Sequence, residues 1–427
     1  MSFTLNTEPS SAREFAENYC DFISASPTAY HAADVLAGVL KAAGFAQQDE
    51  TEAWADSREG YVQRDGAVIA WRVPAQLQPN TGVRIVGSHT DSPSFHLKPT
   101  SQTTTLGYEQ VNAEVYGGPL LNSWLNRDLG LAGRVVTLGG EEKLIKTGPI
   151  MLIPQVAPHL DRSVNKELKL SAQRDYHPIW SVSGGDIQSV IAKEAGVEPD
   201  QVAAIDVLAY DTQAPQIFGG DGEDFVSSGR QDNLSSVFAS LVAFVGAGEA
   251  EDIQIFAAFN NEEIGSGTYS GAEGNFLEAV LRRLIAAQIG PSVEDYERAI
   301  ANSTCVSADA GHVVNPNRSD LHDPAHQPVL GQGPLMKIHS SGAYSSNALT
   351  QALLIRAAAD ADEPIQEFVS NNDVSCGTTI GPLTVTRLGI PTVDCGIGLL
   401  SMHSVREVSS PRDLQSLSRI LRAYLQQ

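Results

Sequence analysis

The sequence predicts an α/β protein: a three-layer sandwich around a largely parallel (mixed) sheet, with a mostly β domain inserted into it. Three observations lead there. Apolar runs that read as buried strands, such as VRIV (83–86) and IQIFAAF (253–259), alternate with helical patterns in both terminal parts of the chain. From about Leu97 to Phe225 the texture changes to short alternating runs broken by turns. The length of 427 residues, two to three times a usual domain of about 100–150, leaves room for both parts.

Taken in order, Ser11 to Ile23 carries Phe15, Tyr19, Phe22 and Ile23 at helical spacing. A second helix follows Ser26-Pro27, with Val35, Leu36, Val39 and Leu40 on one face and Gly44 to end it. GAVIAWRV (66–73) and TGVRIVGSHTDS (81–92) read as strands, the second buried because Val83 to Val86 is a β-branched run. EVYGG (114–118), GRVVTLGGEEKLIKTG (133–148) and PIMLIP (149–154) belong to the insert, with Gly139-Gly140 as a hairpin turn. The polar stretch FGGDGEDFVSSGR (218–230) reads as the linker back. Residues 1–92 and 226–427 thus form one discontinuous domain, and 93–225 the inserted one. QDNL (231–234) then opens a helix to about Phe244. TCVSADA (304–310), GPLTVTRLG (381–389) and PTVDCGIG (391–398) follow as apolar runs, with helical patterns around 276–287, 293–301 and 347–359.

Composition narrows the function. With 42% hydrophobic residues the chain can bury a core, and its net charge of −23 opposes phosphate backbones and anionic lipid heads, so neither nucleic acid nor a membrane surface is expected as partner. The first twenty residues lack the basic and apolar regions of a signal peptide, and no run of about 18 apolar residues occurs, which points to a cytoplasmic protein. Cys20, Cys305, Cys376 and Cys395 are scattered without a C-x-x-C pair and read as buried free thiols. A bound metal would therefore take His and carboxylate ligands.

In open α/β sheets ligands collect at the carboxyl ends of the strands. Here those ends lead into His89 and Asp91, into Glu262 and Glu263, into Asp309 and into His403, and Asp232 stands at the start of the helix after the linker. Five candidate ligands, His89, Asp232, Glu263, Asp309 and His403, exceed the three protein ligands of a mononuclear catalytic zinc and fit two ions sharing one carboxylate. Asp91 is placed to accept from the second ring nitrogen of His89, the support that metal-binding histidines require. Of the adjacent glutamates, one can bind metal while the other stays free as a base for hydrolysis. Each has a plainer reading: a turn residue for Asp91, a helix-start charge pair for the glutamates, a helix N-cap for Asp232-Asn233 and a loop residue for Asp309.

Other motifs fall away. HDPAH (322–326) has zinc-helix spacing but contains Pro324 and no glutamate after the first histidine, so it reads as a loop. GSGTYSG (265–271) departs from G-x-G-x-x-G, and two glutamates at its mouth would repel a pyrophosphate. No phosphate loop and no G-x-S-x-G is present.

With these residues in place, SHTDSP (88–93), EVYGG (114–118), RDLGLAGRV (127–135), RQDNL (230–234), NNEEIGS (260–266), LGQGPLMKI (330–338), CGTTIGP (376–382) and SMHSVRE (401–407) together resemble the aspartyl aminopeptidase family of dinuclear zinc metallopeptidases. The resemblance runs nearly end to end. It implies two divalent metal ions per subunit, zinc, with Asp232 bridging, His89 and Asp309 on one ion and Glu263 and His403 on the other. It makes Glu262 the general base, Asp91 the partner of His89, and His159 in QVAPHLDR a residue that reaches a neighbouring subunit's site. Lys337 matches a lysine that faces an acidic substrate side chain, so peptides with N-terminal Asp or Glu are the implied substrates. The inserted domain is implied to pair subunits, and the dimers to assemble into a tetrahedral dodecamer. A broader aminopeptidase, an N-acyl amidohydrolase of the same fold and a non-catalytic assembly protein are the alternatives.

Overall fold

A computed structural model describes residues 3–54, 58–374 and 377–427. It divides into two compact units, Met1–Asp91 with Pro215–Met402 and Glu407–Gln427, and Ser92–Ala214 with His403–Arg406.

The first unit is built on a nine-stranded mixed sheet. Its centre is four parallel strands in the order Ile253–Phe259, Val83–His89, Thr304–Ala308 and Thr392–Gly396. Ala67–Arg72 and Glu59–Arg64 add antiparallel pairings on one side, and Leu335–Ile338, antiparallel to Thr392–Gly396, leads to Gln366–Val369 on the other. Alternation places Ile253, Ile255 and Ala257 in the core on one face and Phe256 and Ala258 in the core on the other. Burial on both faces is why these strands read as unbroken apolar runs.

Helices Ala12–Ala25, Ala29–Ala42, Gln231–Gly246, Ala348–Asp360 and Pro411–Leu425 cover one face, and Phe276–Gln288, Val293–Ala301 and Gly381–Leu388 the other. The first begins where the Ser11 hydroxyl accepts from the Glu14 N–H at 3.1 Å. The second ends just before Gly44, whose φ of +97° turns the chain away.

Two expectations are corrected here. GPLTVTRLG is the helix Gly381–Leu388, not a strand: Pro382 fits the first turn and Gly389, at φ +69°, takes the left-handed C-cap. The stretch 218–230 is not a plain linker, because Gln216–Phe218 and Phe225–Ser228 form a hairpin joined to Glu407–Ser409 in a three-stranded sheet. Its acidic loop hides this, since Phe218, Phe225 and Val226 are the apolar residues of the stretch.

The second unit is a six-stranded antiparallel sheet in the order Glu142–Lys146, Leu129–Thr137, Val202–Asp211, Ser94–Thr105, Tyr108–Tyr116 and Ile179–Ser181. Gly139-Gly140 lies in the turn between the first two strands in that order, closed by Thr137 N–H to Glu141 O at 2.9 Å. Phe95, Trp124 and Tyr176 anchor its core with Ile187 and Ile191 of the helix Ile187–Ala195. Cys305 and Cys395 are buried free thiols and Cys20 is half-buried; Cys376 lies outside the described residues.

Candidate metal centre

Parallel pairing brings together the strand ends that carry the candidate ligands. His89 stands opposite Phe259, and Gly87 opposite Ser307. Glu262, three residues past Phe259, and Asp309, two past Ser307, therefore flank the imidazole. Gly396 makes room for Asp309, because a Cβ there would meet the Asp309 carbonyl oxygen at 1.9 Å.

Asp232 arrives from the start of the helix Gln231–Gly246, where the backbone is not helical: Asp232 has φ −81°, ψ 104° and Asn233 φ −124°, ψ 24°. The capping position belongs to Arg230, left-handed at φ +63° and without a side-chain cap bond, so the N-cap reading of Asp232 does not hold. Asp232 instead places Oδ1 3.4 Å from Nε2 of His89. Asn233 clasps the strand end beside Asp309, donating to Ala308 O at 2.9 Å and accepting from Ala310 N–H at 3.3 Å.

Ligand-capable atoms of His89, Asp232 and Asp309 lie within 4.8 Å of one another, and so do those of His89, Glu262 and Glu263. His89 is 1% exposed, and Asp232 and Asp309 5% each. Asp91 supports both sets. Its Oδ1 lies 3.3 Å from Nδ1 of His89 and accepts from Glu262 N–H at 3.0 Å, while Oδ2 accepts from Glu263 N–H at 3.1 Å. That contact assigns the ring proton to Nδ1 and leaves Nε2 facing the carboxylates.

The two glutamates share a short 3-10 turn, Glu262–Ile264, between Asn261 at φ +64° and Gly265 at φ +94°. The hydroxyls of Thr268 and Ser270 donate to Asn261 Oδ1 at 3.0 and 3.4 Å. The glycine-rich GSGTYSG thus folds back as a buttress for this turn.

The electrostatics favour a cation. Burial raises the Glu262 carboxyl to about 7, and the carboxylates of Asp309, Asp232 and Asp91 add to the effect against His89. Burial also raises Asp309, with Lys337 opposing. For His89 burial opposes protonation, but Glu262, Asp232 and Asp91 outweigh it and hold the imidazole well above its usual range. Carboxylates crowded around one imidazole and one ammonium, in a site that water screens weakly, suit divalent cations, and the mixed nitrogen and oxygen donors suit zinc.

His403 lies in the second unit, where Nδ1 donates to Gly118 O at 2.9 Å. His159 lies in an exposed turn of that unit. Lys337 is 2% exposed, donates to Ala310 O at 2.6 Å and stands 3.5 Å from Asp309 Oδ1. Its Nζ is 5.4 Å from the ring centroid of Tyr344, which lines a cavity of about 270 Å³ together with His312, His322, Phe368, Asn371 and Ser401. Sequence reasoning misses that cavity and Asn233 as a backbone anchor; HDPAH, which supplies His322, is a loop as expected.

Residues 22–425 match the family model described as aminopeptidase I zinc metalloprotease (M18). The chain is 43% identical over 426 residues to a probable M18 family aminopeptidase 2 of Streptomyces avermitilis, covering 97% of this chain and 98% of that one. Among solved structures, Ape4 in its cryo-EM complex with Nbr1 superposes with a TM-score of 0.92 at 32% identity, covering 97% of this chain and 86% of that one. The S. cerevisiae mApe1 dodecamer superposes with a TM-score of 0.84 at 28% identity, covering 96% of each chain. The zinc-suited cluster at the strand ends and these matches along nearly the whole chain give one conclusion: the protein belongs to the M18 family of zinc metallo-aminopeptidases.

Proposed function

We propose that this M18 aminopeptidase holds two zinc ions, with Asp232 bridging, His89 and Asp309 on one and Glu263 and His403 on the other, and that Glu262 is its general base. The observation that carries the reading is the gathering of four carboxylates, Asp232, Asp309, Glu262 and Glu263, around the His89 imidazole. Zinc bound by these residues would lower the pKa of a water and polarise the scissile carbonyl. Glu262, with Oε2 3.8 Å from His89 Nε2, takes the proton of the attacking water and returns it to the leaving amine. Asp91 holds His89 and the glutamate turn in register for that transfer.

We take the substrates to be peptides with a free N-terminal Asp or Glu. A protein of net charge −23 needs a local cation to admit them, and Lys337 stands behind the wall of the 270 Å³ cavity. One observation favours the broader specificity: the Lys337 ammonium is already engaged by Ala310 and Asp309, and Tyr344 and Phe368 give the cavity an aromatic wall. Comparing kcat/KM for Asp-, Glu- and Leu-terminal peptides decides between them. A tenfold or greater excess for the acidic pair supports the first reading, and equal values the second. Undiminished activity after zinc removal contradicts both, and turnover of N-acylated substrates would indicate an amidohydrolase.

The assembly we propose is a homo-oligomer, dimers closing into a dodecamer as in the mApe1 structure, with His159 reaching a neighbouring copy's site to stabilise the oxyanion. Mass measurement in solution checks it: about twelve times the 45.5 kDa chain is expected. We place the enzyme in the cytoplasm, in keeping with the buried free thiols of Cys305 and Cys395. Among the described residues no helix is long and apolar enough to cross a membrane.

A further inference from the structure

Glu407 begins the short strand Glu407–Ser409, paired antiparallel with Phe225–Ser228, and is only 1% exposed. None of the chemistry above uses it, and a buried carboxylate is costly unless it is hydrogen-bonded. Its Oε2 accepts from the backbone N–H groups of Gln231 at 2.7 Å and Asp232 at 3.1 Å. Gln231 is fastened in return, its Nε2 donating to Glu407 O at 2.7 Å and its Oε1 accepting from the Ser409 hydroxyl at 2.6 Å. These bonds fall on the stretch where the backbone leaves helical geometry, next to Asp232.

The arrangement repeats what Asp91 does for the other ligand turn. Asp91 takes the successive N–H groups of Glu262 and Glu263, and Glu407 takes those of Gln231 and Asp232. One buried carboxylate thereby fixes each turn that delivers metal-binding side chains. A neutral acceptor would satisfy the same N–H groups less strongly, because a charged acceptor forms a bond roughly twice as strong.

We infer that Glu407 is a positioning residue for the metal centre: by holding the Gln231-Asp232 backbone it sets where the shared carboxylate sits, and so the affinity for both ions. The inference rests on the proposed bridging role of Asp232. Its test is zinc affinity by competition with a chelator, the visible absorption of the cobalt-loaded protein, and far-UV circular dichroism, on full-length wild type, E407Q and E407D. Wild type should bind two zinc ions. E407Q should keep the wild-type dichroism, bind zinc about 10–100-fold more weakly, and give an altered cobalt spectrum. E407D, which keeps the charge with one methylene fewer, should fall between. If E407Q does not fold, E407D decides alone: a several-fold loss supports the inference. Wild-type affinity and an unchanged cobalt spectrum in the folded variant overturn it. A wild type that binds two ions while E407Q matches it defeats only this inference; a wild type that binds none defeats the metal reading beneath it.

Discussion

The Asp91 carboxylate accepts the backbone N–H of Glu262 at 3.0 Å while its same oxygen faces His89 Nδ1 at 3.3 Å. One side chain therefore orients both the imidazole proposed to bind metal and the turn that carries the proposed base. Asp91→Asn would put an amide N–H against one of these donors. Expected is a loss of about 10–100-fold in kcat together with weaker zinc binding, seen in steady-state kinetics and chelator competition. Full activity at limiting zinc would contradict this.

Glu262→Gln separates chemistry from architecture. The amide keeps the shape of the side chain but cannot accept a proton, so kcat should fall about 10²–10⁴-fold with KM nearly unchanged. Elemental analysis should still find two zinc ions per chain.

Stability of the zinc-free protein should depend on pH. Glu262 is raised to about 7, and Asp309 and His89 are also raised, so the folded state binds more protons than the unfolded chain as pH climbs past their ordinary values. Stability from these groups is present at low pH and lost as pH rises through about 7 for Glu262. The zinc-free protein should therefore melt at a lower temperature at pH 8 than at pH 6. Glu262→Gln should flatten that slope, and zinc should abolish most of it. Differential scanning calorimetry measures all three.

Lys337→Met removes the ammonium beside Asp309. In the zinc-free protein this leaves a buried carboxylate without its cation, at a cost of about 3–5 kcal/mol, which saturating zinc should largely offset. The same variant reads the specificity question. If Lys337 governs acidic preference, the Asp-to-Leu ratio of kcat/KM falls; if Lys337 serves Asp309 alone, the ratio is unchanged.

Much of this was legible in the sequence because strand ends in a parallel sheet are predictable places. Val83–Val86 and Ile253–Phe259 announce themselves as buried strands, and His89 and Glu262-Glu263 follow them directly. GPLTVTRLG misled because Val385 and the threonines favour strands, while Pro382 and Gly389 set a helix by their backbone geometry. Asp232 was recognisable as a candidate ligand, but its departure from helical backbone was not, since Glu407, 175 residues away, holds it there. Anchors such as Asn233 and Glu407 act on backbone groups, and such contacts leave no periodic trace along the chain.

The claim on which the account turns is that two cations sit among His89, Asp232, Glu263, Asp309 and His403. Crystals of the zinc-loaded protein measured across the zinc absorption edge test it most directly. The account predicts two anomalous peaks about 3.5–4 Å apart, with the Asp232 carboxylate between them. One peak, or peaks away from these side chains, would contradict it.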